Sequence, residues 1–279
     1  MHGKGRQRLN AHLAPGRSDE LIDQMSEGLV REKRSRMPLE LFVVLPVYNE
    51  EEAISGVLEE WLAVLRSQSE SFVLCCLDDG SSDGTAELLD RLERATPEIE
   101  VIHKTNSGHG QSCLLGYRRA VELGSQWVFQ IDSDGQCDPL DFASFWPGRA
   151  KHPVQYGHRV QRDEGPVRRI VSRLLSGLVW SRTGVRVRDA NVPFRLMRGD
   201  RLAKWVDGIP PSFDLVNVLL AVLQQHDEEI TWQPIRFRKR RGGRTSLGLF
   251  RLTVMGLRLF RDLGPQFSKM VVAASGDRR

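Results

Sequence analysis

The sequence predicts an α/β fold built on a doubly wound, mainly parallel sheet with helices on both faces. Apolar runs of strand length alternate with stretches whose apolar residues recur at helical spacing, and each such run ends in a polar loop rich in Gly, Ser, Asp or Asn. At 279 residues and 40% apolar content the chain is also large enough to bury the core such a sheet needs.

The first unit is "LFVVLPVYNEEEAISGVLEEWLAVL". Leu41 to Leu45 form an apolar run that turns at Pro46, after which Ile54, Val57, Leu58, Trp61, Leu62 and Leu65 fall on one helical face. The second, "SFVLCCLDDGSSDGTAELLDRLERA", repeats the plan with Leu88, Leu89 and Leu92 on its helix. "EVIHKTNSGHGQSCLLGYRRAVELG" is a third unit and "QWVFQIDSDGQ" supplies a fourth strand. Residues 1–36 are basic and form an extension outside the core, with a short helix expected over "SDELIDQMSEGLVREKR".

In open parallel sheets, ligands bind beyond the carboxyl ends of the strands. That rule gathers four loops on one edge. They bring Pro46, Tyr48, Asn49 and Glu50 from the first, Asp78 and Asp79 from the second, Gly108 and Gly110 from the third, and Asp132, Asp134 and Gln136 from the fourth. Asp132, Asp134 and Asp138 place three carboxylates within seven residues. Such crowding is costly unless a cation offsets it, and Mg2+ or Mn2+ takes one or two carboxylates together with substrate phosphates. A turn whose Asp residues are solvated or cap a helix is the plainer reading of the same residues. "NSGHGQS" lacks both P-loop and GxGxxG spacing, so a tight turn is expected there.

The composition narrows the classes. A formal charge of +4 does not call for a polyanionic partner, and "RFRKRRGGR" belongs to no nucleic-acid module. Cys75, Cys76, Cys113 and Cys137 make no CxxC pair and suit a reducing, cytoplasmic setting. No apolar run is long enough to cross a bilayer. "SLGLFRLTVMGLRLFRDLG" sets Leu249, Leu252, Phe260 and Leu263 among Arg251, Arg258 and Arg261. That amphipathic helix either lies on an anionic membrane surface or packs on the body or on a second copy of the chain. His109 and His158 neighbour the predicted site loops, where contact with phosphate is one reading and a structural role the commoner one.

The motifs "VVLPVYNEEEAI", "LDDGSSDGT", "NSGHGQSCLLGYRRA" and "QIDSDGQCDP", in this order, resemble family 2 glycosyltransferases of the GT-A fold. Within that family the chain is similar to the polyprenyl-phosphate sugar transferases. "DANVPFRLMRGD" and "IRFRKRRGGRTSL" extend the likeness, which covers about residues 38–250. It implies a catalytic domain over 37–246, followed by the amphipathic helix and tail over 247–279. It further implies nucleotide contacts from Pro46, Tyr48, Glu50, Asp79 and Asp132, and Mg2+ or Mn2+ ligation by Asp132, Asp134 and Gln136. Arg159 and Arg240, with Arg169 or Arg173, would meet the donor diphosphate or the acceptor phosphate. The chain departs from the family at "VPFR", where "SGFR" is usual, and at Leu247, where lysine is common.

The expected activity is metal-dependent, inverting transfer of a hexose from a nucleotide diphosphate sugar, GDP- or UDP-linked, to a polyprenyl phosphate, at the inner face of a membrane. A phosphate acceptor is already ionised and needs cationic positioning more than a base. A hydroxyl acceptor on a saccharide, protein or small metabolite would need a carboxylate, for which Asp214 is the candidate; as an alternative, Asp214 sits at a helix start. A noncatalytic nucleotide-sugar-binding protein is the reading from another class, and the sequence leaves open whether the chain is a homo-oligomer.

Overall fold

The computed structural model describes residues 38–69, 71–159, 166–240 and 249–276, with the backbone alone for 166–173 and 249–255. The expected N-terminal extension and its helix therefore lie outside the described residues, as do the side chains of Arg169, Arg173, Leu249, Arg251 and Leu252.

Seven strands form one sheet in the order β3-β2-β1-β4-β6-β5-β7. They are β1 (Leu41–Val47), β2 (Phe72–Asp78), β3 (Ile99–His103), β4 (Trp127–Ile131), β5 (Val154–Arg159), β6 (Phe194–Arg198) and β7 (Thr231–Ile235). The β1 strand pairs in parallel with β2, Val47 opposite Asp78, and with β4, Val44 opposite Gln130. Only β6 runs against its neighbours, pairing antiparallel with both β4 and β5, while β5 and β7 are parallel. The carboxyl ends of the other six strands consequently share one edge, and the loops that leave them converge.

Helices α1 (Ile54–Gln68), α2 (Thr85–Ala95) and α3 (His109–Glu122) follow the first three strands. After β4 come a 3-10 turn (Pro139–Asp141) and α4 (Phe142–Gly148); α5 (Pro166–Thr183) follows β5, α6 (Gly199–Val206) and α7 (Val216–Asp227) follow β6, and α8 (Leu249–Gly276) closes the chain. Every residue of β1 is buried, as expected for a strand covered on both faces. The six apolar positions foreseen on α1 are its buried ones.

Trp61 of α1 meets Phe129 of β4 at a ring separation of 5.6 Å, and Phe129 meets Phe194 edge-on at 4.8 Å. This aromatic centre fixes α1 against the antiparallel part of the sheet, each ring contributing about 1.5–3 kcal/mol by burial. All four cysteines are buried and free.

The α8 helix packs on α5 and α7 through Leu259, Leu263, Phe267 and Met270, all buried. Its apolar stripe is therefore a core face of the protein, while Leu257 and Phe260 lie off that stripe and are 66% and 49% exposed. Among the described residues no helix is long and apolar enough to cross a membrane.

Candidate active site

The loop leaving β1 is shaped by Asn49, which adopts a positive φ of 52°, a conformation Asn tolerates better than most residues. Its amide donates to Ser81 Oγ at 3.0 Å, and its Oδ1 accepts from the Ser82 amide at 2.8 Å. The β1 and β2 loops are thus clamped together. Pro46 is buried as it leaves the sheet, whereas Tyr48 stands exposed at the rim. Glu50 follows, buried, its amide donating to Thr85 Oγ1 at 2.9 Å.

The Asp79 carboxylate at the end of β2 is fully engaged by the protein. One oxygen accepts from the Ser107 amide at 2.8 Å and from Lys104, and the other from the Gly108 amide at 2.8 Å. The Gly-containing loop before α3 therefore cradles a carboxylate of the chain itself, with Gly108 at φ 91°, where a side chain would be strained.

Asp132 and Asp134 leave β4 side by side. Asp132 Oδ1 accepts from His109 Nε2 at 2.9 Å and from Gln130 Nε2 at 3.1 Å; Asp134 Oδ1 accepts from the Gln136 amide at 3.0 Å. Burial raises the Asp132 pKa, but His109, Arg159 and Arg195 outweigh it and hold the carboxyl below its ordinary range. Asp134 is pushed the other way, by burial and by the charge of Asp132. The charge of Asp132 thus makes the ionisation of Asp134 harder, and a cation beside the pair would ease it.

A strap after β7 crosses this acidic edge. Arg238 N donates to Gln136 O at 2.7 Å, and Cys137 and Phe237 form a β-bridge. Successive residues of an extended segment face opposite ways, and the alternate arginines share a destination. Arg236 binds Asp141 at 3.1 Å; Arg238 binds Asp138 at 2.7 Å and Glu60 at 2.8 Å; Arg240 reaches Glu50 at 2.5 Å and lies 4.0 Å from Asp134. Within the described part of the basic run, Arg236, Arg238 and Arg240 are accordingly each paired with acids of the body, Arg236 at the exposed end and Arg240 partly buried. Phe237, on the other face, lies 4.3 Å under the Arg159 guanidinium, which ends β5 and is 3.9 Å from Asp189.

Burial raises the Glu50 carboxyl to about 7, against the pull of Arg240 and with a further push from Asp134. Its Oε2 is buried without a hydrogen-bond partner.

Asp214 is brought to the rim rather than the centre. Its carbonyl oxygen lies where a Cβ on Gly110 would fall, at 2.1 Å, and Gln111 Nε2 donates to the neighbouring Phe213 O at 2.8 Å. Its half-exposed carboxylate accepts from Arg258 at 3.1 Å, and it caps no helix, since α7 begins after Leu215. A cavity of about 280 Å³ opens there, lined by Phe213, Asp214, Leu259 and Arg261 among others.

Three contacts were not foreseen in the sequence. His109 touches Asp132; its place at the first position of a site-facing helix was the available sign. Arg195 is wholly buried and donates to the carbonyls of Val192, Ala190 and Asn217 at 2.8, 2.8 and 2.7 Å. Lys104 on Asp79 carried no motif at all.

Among the described residues no three His, Cys, Asp or Glu side chains converge as a complete metal cage. The oxygens of Asp132 and Asp134 are of the kind that hard divalent cations take together with phosphate oxygens and water, and the raised pKa of Asp134 beside Asp132 fits such a group, while the Gln136 side chain lies 3.5 Å from Arg238 O through its Nε2.

The sheet, with its acidic strand ends gathered on one edge, defines a domain of the GT-A glycosyltransferase fold. The chain belongs to glycosyl transferase family 2, whose model matches residues 42–197. The undecaprenyl-phosphate 4-deoxy-4-formamido-L-arabinose transferase of Edwardsiella ictaluri is 25% identical over 213 residues, 75% of this chain and 63% of that protein. Its counterpart in Pseudomonas paraeruginosa is 32% identical over 165 residues, 58% of this chain and 48% of that one. The chain thus spans less than two thirds of the length of these relatives. Glucosyl-3-phosphoglycerate synthase from Mycobacterium tuberculosis, in complex with Mn2+ and UDP-glucose, shares the fold with a TM-score of 0.60 at 19% identity, covering 87% of this chain and 83% of that one.

Proposed function

We propose that the protein is an inverting glycosyltransferase that moves a sugar from a nucleotide diphosphate sugar to a polyprenyl phosphate. The observation that carries this reading is the paired Asp132 and Asp134 at the sheet edge, overhung by Arg240 and flanked by Arg159. Asp132, Asp134 and Gln136 would hold Mg2+ or Mn2+, which when bound neutralises charge on the departing diphosphate. Pro46, Tyr48 and Glu50 would border the nucleotide, with Asp79 shaping the floor by tying down the loop at Gly108.

The arginines position anions through permanent charge and forked donors. Arg159, stacked on Phe237, and Arg240 would orient the donor diphosphate and the acceptor phosphate for attack from opposite sides of the anomeric carbon. An ionised phosphate acceptor needs no general base, which agrees with Asp214 being neutralised by Arg258. The names of the curated relatives support the lipid phosphate, and the Mn2+ and UDP-glucose complex supports a uridine donor as the first to try.

A lipid acceptor also gives a role to the outer surface of α5 and α8. Leu174, Trp180, Leu257 and Phe260 are exposed there, Arg182 lies 4.6 Å over the Phe260 ring and Arg186 5.2 Å over Trp180. Exposed rings and leucines among arginines suit the interface of an anionic membrane, which supports attachment at the anionic cytoplasmic face as part of this proposal.

A second reading keeps the donor chemistry and changes the acceptor. The cavity beside Asp214 would take a small anionic hydroxyl compound, with Asp214 as base once Arg258 turns to the acceptor's charge. Nucleotide release from UDP- and GDP-sugars, with and without a short-chain polyprenyl phosphate, separates the two. Release dependent on the lipid phosphate supports the first; release indifferent to it, and lost in Asp214→Asn, supports the second. In either case Asp134→Ala should abolish turnover with the fold retained, and unchanged turnover would overturn the metal assignment.

A further inference from the structure

We infer that Arg240 is a resident counter-cation of the acidic site, which competes with the divalent metal for that site until the metal enters. The inference rests on the metal-dependent reading above and says what that reading does not: that metal binding is opposed by a charge already in place.

Arg240 is anchored for this role in its backbone, and its side chain is long enough to reach two loops. The strap that carries it is fastened beside the metal loop by the Arg238 N to Gln136 O bond, the bridge of Phe237 to Cys137 and the ion pairs of Arg236 and Arg238. Those contacts hold the Arg240 backbone over the ends of β1 and β4, which are neighbouring strands. Its guanidinium then spans two carboxylates from different loops, bonded to Glu50 Oε1 at 2.5 Å and set 4.0 Å from Asp134 Oδ2. Glu50 itself is buried with its second oxygen unpartnered, so its charge depends on that one guanidinium.

A dication on Asp132 and Asp134 would face this guanidinium across a few ångströms of partly buried space, where like charges repel strongly. The metal therefore binds weakly while Arg240 stays on its carboxylates. A nucleotide diphosphate relieves the conflict, because its oxygens accept both the metal and a guanidinium. Metal and nucleotide should accordingly bind with mutual reinforcement, and the reinforcement should pass through Arg240.

Mn2+ binding to the full chain, followed by titration calorimetry and by the paramagnetic resonance of free Mn2+ at fixed ionic strength, tests this without turnover. Without nucleotide, Arg240→Ala and Arg240→Gln should bind Mn2+ at least about fivefold more tightly than wild type, and Arg240→Lys should stay within about twofold of wild type. Arg198→Ala, which removes an equal charge paired with Asp200 on the opposite edge of the sheet, should leave the affinity unchanged. Added UDP or GDP should tighten Mn2+ binding more in wild type than in Arg240→Ala. Equal or weaker Mn2+ binding by Arg240→Ala, or an equal gain in Arg198→Ala, overturns the competition while leaving the metal site intact. A wild-type protein that binds no Mn2+, with or without nucleotide, overturns the metal reading and the competition together.

Discussion

Replacing Arg195 by methionine keeps most of the side-chain volume and removes the guanidinium from the junction of β6, β5 and α7. Three buried carbonyl oxygens, those of Ala190, Val192 and Asn217, lose the guanidinium as donor, and a buried polar group left unpaired costs about 1–3 kcal/mol, least at Asn217, whose carbonyl lies inside α7 and keeps a helix donor. Against this stands the relief of a buried cation that makes no ion pair among the described residues and is offset by the Tyr156 ring at 4.6 Å, the Tyr156 hydroxyl at 3.4 Å and, at longer range, the Asp132 carboxylate. Desolvating such a charge costs several kcal/mol. The losses exceed the relief, because the carbonyls are fixed in the loop before β6 and at the start of α7 and have little freedom to find water. The expected net loss is about 3 kcal/mol. In urea unfolding followed by tryptophan fluorescence and far-ultraviolet dichroism, with a slope of about 3 kcal/mol per molar, the midpoint falls by about 1 M. Arg195→Lys keeps the charge but reaches fewer carbonyls, and should lose about half as much. A methionine variant as stable as wild type would refute the reasoning, since desolvation would then outweigh the bonds.

Three other outcomes follow from the same geometry. The Glu50 carboxyl, raised to about 7 from an ordinary 4.5, contributes stability that is full below its unfolded value and lost as the pH climbs through 7. Glu50→Gln should match wild type near pH 5 and exceed it by about 1–3 kcal/mol at pH 8, and a variant less stable than wild type at pH 8 would show that the Arg240 pair dominates. Gly110→Ala drives a methyl into the Asp214 carbonyl, 2.1 Å from the new Cβ, and should cost about 2 kcal/mol or more together with lower turnover, read by thermal unfolding and nucleotide release. Trp180→Ser combined with Leu257→Ser should abolish co-sedimentation with vesicles rich in anionic lipid while nucleotide-dependent Mn2+ binding is kept; undiminished sedimentation would remove the surface of α5 and α8 from the account.

The alternation of strand and helix was legible because strands covered on both faces must be apolar throughout, as β1 is. The antiparallel insertion of β6 between β4 and β5 was not, since "FRLMR" has the composition of any buried strand and its direction is set by how α5 and α6 connect it. Strand direction in turn made the candidate site legible: once the parallel strands shared an edge, the loops carrying Glu50, Asp79, Asp132 and Asp134 had to leave from that same edge. What escaped was the pairing across long separations. Arg236, Arg238 and Arg240 find acids 95 to 190 residues away, so the run was visible only as charge. Asp79 was an expected nucleotide contact, yet its oxygens are committed to the loop at Ser107 and Gly108. The amphipathic stripe of α8 contained both outcomes, because an apolar face has the same periodicity whether it covers a core or a membrane, and Leu263 proved to face the core.

The central claim, sugar transfer to a lipid phosphate directed by the acidic edge, is tested most directly by identifying the lipid product. A short-chain polyprenyl phosphate is incubated with a UDP- or GDP-sugar, Mn2+ and the full chain, and the lipid fraction is examined by mass spectrometry. The account predicts a lipid phosphate heavier by one sugar residue, formed one for one with released nucleoside diphosphate, inverted at the anomeric carbon and absent with Asp134→Ala. Nucleotide released at the same rate without the lipid, and a lipid phosphate of unchanged mass, would contradict it.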